Sequence, residues 1–148
     1  MEIERSEAKE RGNVVWEVAP GEFVTPLVLG ESSGETFSLF EVRTSADGGP
    51  PLHSHDDVAE LFHVLEGEIA VTLGSEERIL GPGQSCAVPI GVAHRYSVRG
   101  QGARFLATFT PGGRIEHFFA AANDLDRSRE DFFPRLVELA QHNGMRLF

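Results

Sequence analysis

From Val14 to Thr110 the chain is cut into short apolar segments by glycine, proline and serine. That punctuation limits the fold more than any other feature. The segments "VVWEVA", "FVTPLVL", "TFSLFEV", "AELFHVLEG", "EIAVTLG", "ERILGPG", "SCAVPIG", "AHRYSVRG" and "ARFLATFTPGG" follow one another closely. Many short strands at even spacing imply an all-β sandwich or barrel. "VLEGEIAVTL" reads as a hairpin turning at Glu66–Gly67, because glycine accepts a positive φ. "GSEE" turns the next pair, and "GPG" at 81–83 breaks the chain before another strand.

After Pro111-Gly112-Gly113 the apolar period lengthens. Ile115, Phe118, Phe119 and Ala122 share one helical face, and Phe133, Leu136, Val137 and Ala140 share another. Pro134 suits a first helical turn, and Asn143–Gly144 a C-terminal stop. Both faces are expected to pack on the outside of the barrel. Residues 1–12 are expected to form a flexible arm, 13–112 the barrel domain and 113–148 a helical extension of that same domain.

The unusual residues are polar ones in strand-like positions. "PPLHSHDDVAELFHVLEGEI", residues 50–69, places three histidines and a glutamate among apolar neighbours. His53 and His55 are two apart, so on a strand they face the same way. Glu60 shares its face with Phe62 and Val64, while His63 points opposite. A fourth polar group comes from "VPIGVAHRY", where Pro89 and Gly91 make a turn and His94 begins the next strand; Tyr96 shares its face. In a closed barrel these side chains converge from different strands. Buried without partners they would cost about 1–3 kcal/mol each, and a divalent metal would satisfy imidazoles and a carboxylate together. His-x-His alone is a weak signal; its combination with Glu60 and the Pro-x-Gly-x-x-His element is far more specific.

Composition narrows the alternatives. A net charge of −10 over 148 residues opposes nucleic acid or an anionic membrane as partner. The single cysteine, Cys86, precludes an intrachain disulfide and reads as a small core residue. The polar start "MEIERSEAKERGN" lacks the apolar core of a signal peptide, and no apolar run approaches the roughly 20 residues of a membrane-spanning helix. The expectation is a cytoplasmic protein.

These residues resemble the two motifs of the cupin superfamily. The first runs Gly48, His53, His55, Glu60, Gly67; the second runs Gly83, Pro89, Gly91, His94. Gly48 sits one residue close to the histidines, and Val98 stands where the family pattern has asparagine. The chain is similar in particular to single-domain cupins of the quercetin dioxygenase type, including "TPGG" after the last strand followed by a helical tail. The resemblance implies a small jelly-roll β-barrel with one divalent transition metal per chain, held by His53, His55, Glu60 and His94. Iron, manganese, nickel, zinc and copper all suit this donor set.

The resemblance further implies a metal-dependent dioxygenase acting on a small flavonol- or diketone-like substrate, with Glu60 also serving as proton acceptor. Phe62 and Tyr96 are candidate pocket-lining, substrate-binding residues. A redox-neutral isomerase, a polyketide-type cyclase and a non-catalytic small-molecule-binding cupin are the alternatives. A homodimer is expected from the family, with Trp16 in an N-terminal strand that can pack on a second subunit.

Overall fold

The computed structural model describes residues 14–148, so the arm expected over 1–12 lies outside the described residues. The elements run β1 (Trp16–Ala19), β2 (Glu22–Val28), a 3-10 turn (Gly30–Ser33), β3 (Ser38–Ser45), β4 (His53–His55) and β5 (Ala59–Leu73). They continue with β6 (Glu76–Leu80), β7 (Ser85–Val88), β8 (His94–Thr110), α1 (Arg114–Asn123), α2 (Phe132–His142) and β9 (Met145–Leu147). The sheet is antiparallel and curls into a half-barrel. One path runs β1-β2-β3-β8-β4-β9, while β5 pairs with β6, β7 and β8.

Alternation carries the core, as the sequence pattern requires. In β3, Ser38, Phe40, Val42 and Thr44 face inward while their neighbours are half-exposed. Phe40, Phe62, Phe105, Ile69, Val64 and Val71 are fully buried. Burying each such side chain contributes about 1.5–3 kcal/mol. Aromatic rings meet edge-on through this core, with Phe40 and Phe119 centroids 5.1 Å apart.

The hairpin expected at Glu66–Gly67 does not form. Both residues lie inside β5, which continues for 15 residues. Each half of β5 pairs with β8, from Ala59 opposite Thr110 to Leu73 opposite His94. The register slips between Val64 and Glu68, so Gly67 marks a bend and not a reversal. Its φ is 77°, and a Cβ there would collide with the Gly102 carbonyl oxygen of β8. The real turn comes at Gly74–Ser75, between Leu73 and Glu76.

Two helices follow the barrel. On α1, Ile115, Phe118, Phe119 and Ala122 are buried, the face that their spacing dictates. The Glu116 carboxylate fastens its first turn, accepting from the Ser38 hydroxyl at 2.6 Å and from the Gly30 amide. On α2 the buried face differs from the expected one. Phe132 is buried, held under the Arg127 guanidinium, whereas Phe133 is 61% exposed and Val137 is exposed too. After Asn143–Gly144 the chain returns as β9, which the sequence reading did not anticipate. It pairs with β4, bringing Met145 opposite His55 and Leu147 opposite His53. No helix among the described residues is long and apolar enough to cross a membrane.

Candidate metal centre

The short strand β4 supplies two imidazoles. It lies between β8 and β9, which buries all three of its residues. His53 and His55 share a face, and His53 pairs directly with His94 of β8. The loop before β8 ties the two sequence motifs together. The Val92 amide donates to the Pro89 carbonyl at 3.2 Å, with Gly91 at φ 80°, and the Gly91 amide donates to the His55 carbonyl at 2.9 Å. A glycine at the third position of such a turn meets the need for positive φ.

His53, His55 and His94 present ring nitrogens that all lie within 4.8 Å of one another. Two of them have a fixed tautomer. Nδ1 of His53 donates to the Pro51 carbonyl at 2.8 Å, and Nδ1 of His94 donates to the Val92 carbonyl at 2.9 Å. Each Nε2 lone pair is thereby left for another partner. Nε2 of His55 and of His94 are buried with no hydrogen-bond partner. Glu60, facing inward from β5 with Phe62 and Val64, brings Oε1 to 3.8 Å from His55 Nε2 and 3.6 Å from His94 Nε2. Both gaps exceed hydrogen-bond reach. Buried nitrogen lone pairs converging beside a carboxylate, too far apart to satisfy each other, fit a divalent cation.

Electrostatics agree with that reading. Burial lowers His53 below the ordinary imidazole range, and the neighbouring His94 adds to the effect. Burial likewise pulls His55 down to about 4, against the attraction of Glu60. For Glu60, burial pushes upward, but the three imidazoles outweigh it and hold the carboxyl below its usual value. For His94, burial pulls downward, yet Glu60 and the Val92 carbonyl together raise it. At neutral pH His53 and His55 are neutral beside an ionised carboxylate, as metal binding needs. Glu60 makes His94 hold its proton more tightly than a free imidazole, so a cation there must displace it.

The cluster opens onto a cavity of about 320 Å³. Its walls include Phe62, Phe105, Phe109 and Phe119 from the barrel and α1, with Phe133 and Val137 of α2 at the same cavity. Phe62 and Tyr96 both line it, so the structure brings these two candidates to the donor cluster. Their rings lie 6.0 Å apart, and Phe62 is 6.5 Å from the His94 ring. His63 points away, as alternation predicts, and shares a 2.7 Å hydrogen bond with the Ser85 hydroxyl. Cys86 is buried in the core. Val98, at the position of the family's asparagine, packs against that core opposite Ile69.

One cavity residue escaped the sequence reading. Glu22, the first residue of β2, faces inward with Val24 and is 8% exposed. Burial lifts its carboxyl to about 7, and the charge of Glu60 pushes the same way while Tyr96 opposes. The available signal was the alternation of Glu22 with Val24; a lone acid beside the "PG" turn reads as solvated.

Comparison with known proteins follows the same lines. Residues 39–116 match the cupin domain. Quercetin 2,3-dioxygenase of Bacillus subtilis (strain 168) is 29% identical over 96 residues, which are 65% of this chain and 28% of that protein. Germin-like protein 3-8 of Oryza sativa subsp. japonica is 35% identical over 78 residues, 49% of this chain and 35% of that protein. The chain thus spans about a third of the length of these curated relatives. Among solved structures, KdgF from Halomonas sp. superposes with a TM-score of 0.65 at 18% identity, covering 72% of this chain and 93% of that one. An RmlC-like cupin from Shewanella frigidimarina gives 0.62 at 20% identity, covering 69% and 86%. With the domain match spanning more than half of its residues and the same curled sheet in these structures, the chain belongs to the cupin family.

Proposed function

We propose that this protein is a metal-dependent cupin enzyme, a dioxygenase that acts on a small flavonol- or diketone-like molecule. His53, His55, His94 and Glu60 are its metal ligands, for one divalent transition metal per chain. The observation that carries the proposal is the pair of buried, unpartnered Nε2 atoms beside Glu60 at the head of an apolar cavity. Nothing in the protein matrix satisfies them, and the cavity gives an organic ligand direct access. The likeness to quercetin 2,3-dioxygenase supports the substrate class.

When bound, the metal would supply Lewis-acid polarisation of a substrate oxygen and a meeting point for substrate and dioxygen. The protein's own groups do the rest. Glu60 stands within reach of any hydroxyl presented to the imidazoles and accepts its proton. Phe62 and its aromatic neighbours hold the ring system and exclude water. Tyr96 lines the same wall. Two copies associate through β1, the terminal strand of the sheet path, which carries Trp16.

Oxygen consumption by protein loaded in turn with each candidate metal, against flavonols and β-diketones, tests the reading. The expected result is substrate-dependent oxygen uptake that disappears in His55→Ala. Turnover of the same compounds without oxygen would replace it with a redox-neutral isomerase or cyclase. One feature favours that second reading: Glu22 is buried in the cavity wall, and burial lifts its carboxyl to about 7, so a share of it keeps its proton near neutrality.

A further inference from the structure

The cavity contains polar groups that the donor cluster does not use. Glu22 on β2 and Tyr96 on β8 both line it, and both are more than nine-tenths buried. The Tyr96 hydroxyl has no hydrogen-bond partner of ordinary geometry, and neither has the neighbouring Thr44 hydroxyl, across the sheet from Glu22. Glu22 makes no ion pair among the described residues, and Val18, Val42 and Phe105 line the cavity with it. Leaving such groups unpaired is unfavourable, and an apolar residue would fill the same space at no such cost. A buried hydroxyl without a partner, beside a buried carboxyl in a ligand-sized cavity, is placed to meet a ligand.

We propose that Glu22 and Tyr96 form a second polar anchor, which binds a hydroxyl or carbonyl at the end of the substrate remote from its metal-chelating oxygens. This rests on the chelating-substrate reading above and narrows it. His94 and Tyr96 share a face two residues apart, so the strand rise separates them by about 7 Å. The ligand class is therefore a planar, largely apolar molecule. It carries a hydroxy-ketone or diketone at one end and a further oxygen about 7 Å away along that wall. The Tyr96 hydroxyl donates to a ligand oxygen, and the Glu22 carboxyl accepts from a ligand hydroxyl. Burial also keeps a share of Glu22 protonated at neutral pH, which lets it donate to a carbonyl instead.

The test uses protein loaded with Zn(II), which has no redox chemistry, under argon. Quercetin and 3-hydroxyflavone share the chelating hydroxy-ketone, but only quercetin bears the outlying ring hydroxyls. Wild-type protein is expected to bind quercetin at least about tenfold more tightly, as loss of a buried hydrogen bond implies. Tyr96→Phe and Glu22→Leu should each erase most of that preference while leaving 3-hydroxyflavone affinity within about twofold; Glu22→Gln should retain part of it. Zinc content should stay at the wild-type value, and the melting temperature of the metal-free variants should not fall. Absence of a preference in wild type, equal loss of both ligands, or a lowered melting temperature in both Glu22→Gln and Tyr96→Phe would overturn the anchor. In the first case 3-hydroxyflavone would still bind, and the metal reading would survive. If neither flavonol binds zinc-loaded wild type, the chelating-substrate reading falls, and the anchor falls with it.

Discussion

Glu60 and Glu22 line one cavity and are equally buried, each 8% exposed, yet their carboxyls are displaced in opposite directions. Around Glu60 three imidazoles outweigh desolvation and keep the carboxylate ionised. Around Glu22 desolvation prevails, the charge of Glu60 adds to it, and a phenol hydroxyl only moderates it. Burial alone therefore does not decide what a carboxyl is for. The neighbours decide, and here they give the cavity an acceptor beside the imidazoles and a proton holder elsewhere.

The strongest way to break this contrast is to remove the imidazoles. His55→Ala or His94→Ala should lower metal affinity by more than about 100-fold, since even outer-shell losses cost 10–100-fold. Elemental analysis of protein purified without an affinity tag reads this directly. Retention of one metal per chain in a folded variant would contradict the ligand assignment. Glu60→Gln is expected to weaken metal retention less, because the three imidazoles remain, but to abolish turnover of any substrate that must lose a proton.

Metal-free protein sharpens the comparison through pH. Glu22 is raised from 4.5 to about 7, so the folded state favours its protonated form. Its contribution to stability is complete below pH 4.5 and is lost as pH rises through 7. Glu22→Gln should therefore stabilise the protein at pH 8, by on the order of 3 kcal/mol at most, and should make no difference at pH 4. Urea unfolding at the two pH values measures it. His55 runs the other way. Its imidazole falls from 6.5 to about 4, so its contribution is present above pH 6.5 and is lost as pH drops toward 4. The smallest effect is expected at the cavity edge. Phe133→Ala should leave unfolding almost unchanged, because that ring is largely exposed, while weakening binding of an aromatic ligand a few-fold.

The imidazole cluster was legible because its signals are local. His53 and His55 share a face by simple alternation, Glu60 follows in phase with Phe62 and Val64, and Pro89 with Gly91 marks the turn before His94. What escaped depends on distant partners. Gly67 gives the same sign for a hairpin and for a bend, and only the pairing of β5 with β8 distinguishes them. The run "MRL" is too short to alternate visibly, so β9 emerges only from its docking on β4. The apolar spacing of α2 puts Phe133 on the packing face, and the burial of Phe132 under Arg127 turns the helix the other way. Glu22 was hidden for a related reason: "GEFV" carries only one alternation, Glu22 with Val24, and the pairing of Glu22 with Thr44 is what turns it inward.

The pairing of β9 with β4 also sets an order of events. β4 is joined to β8 by a single pair of residues and to β9 by three, so most of its backbone registry comes from 145–147. On the ribosome, His53 and His55 emerge some ninety residues ahead of the segment that aligns them. The two imidazoles of β4 thus gain most of their alignment only once 145–147 has docked beside them.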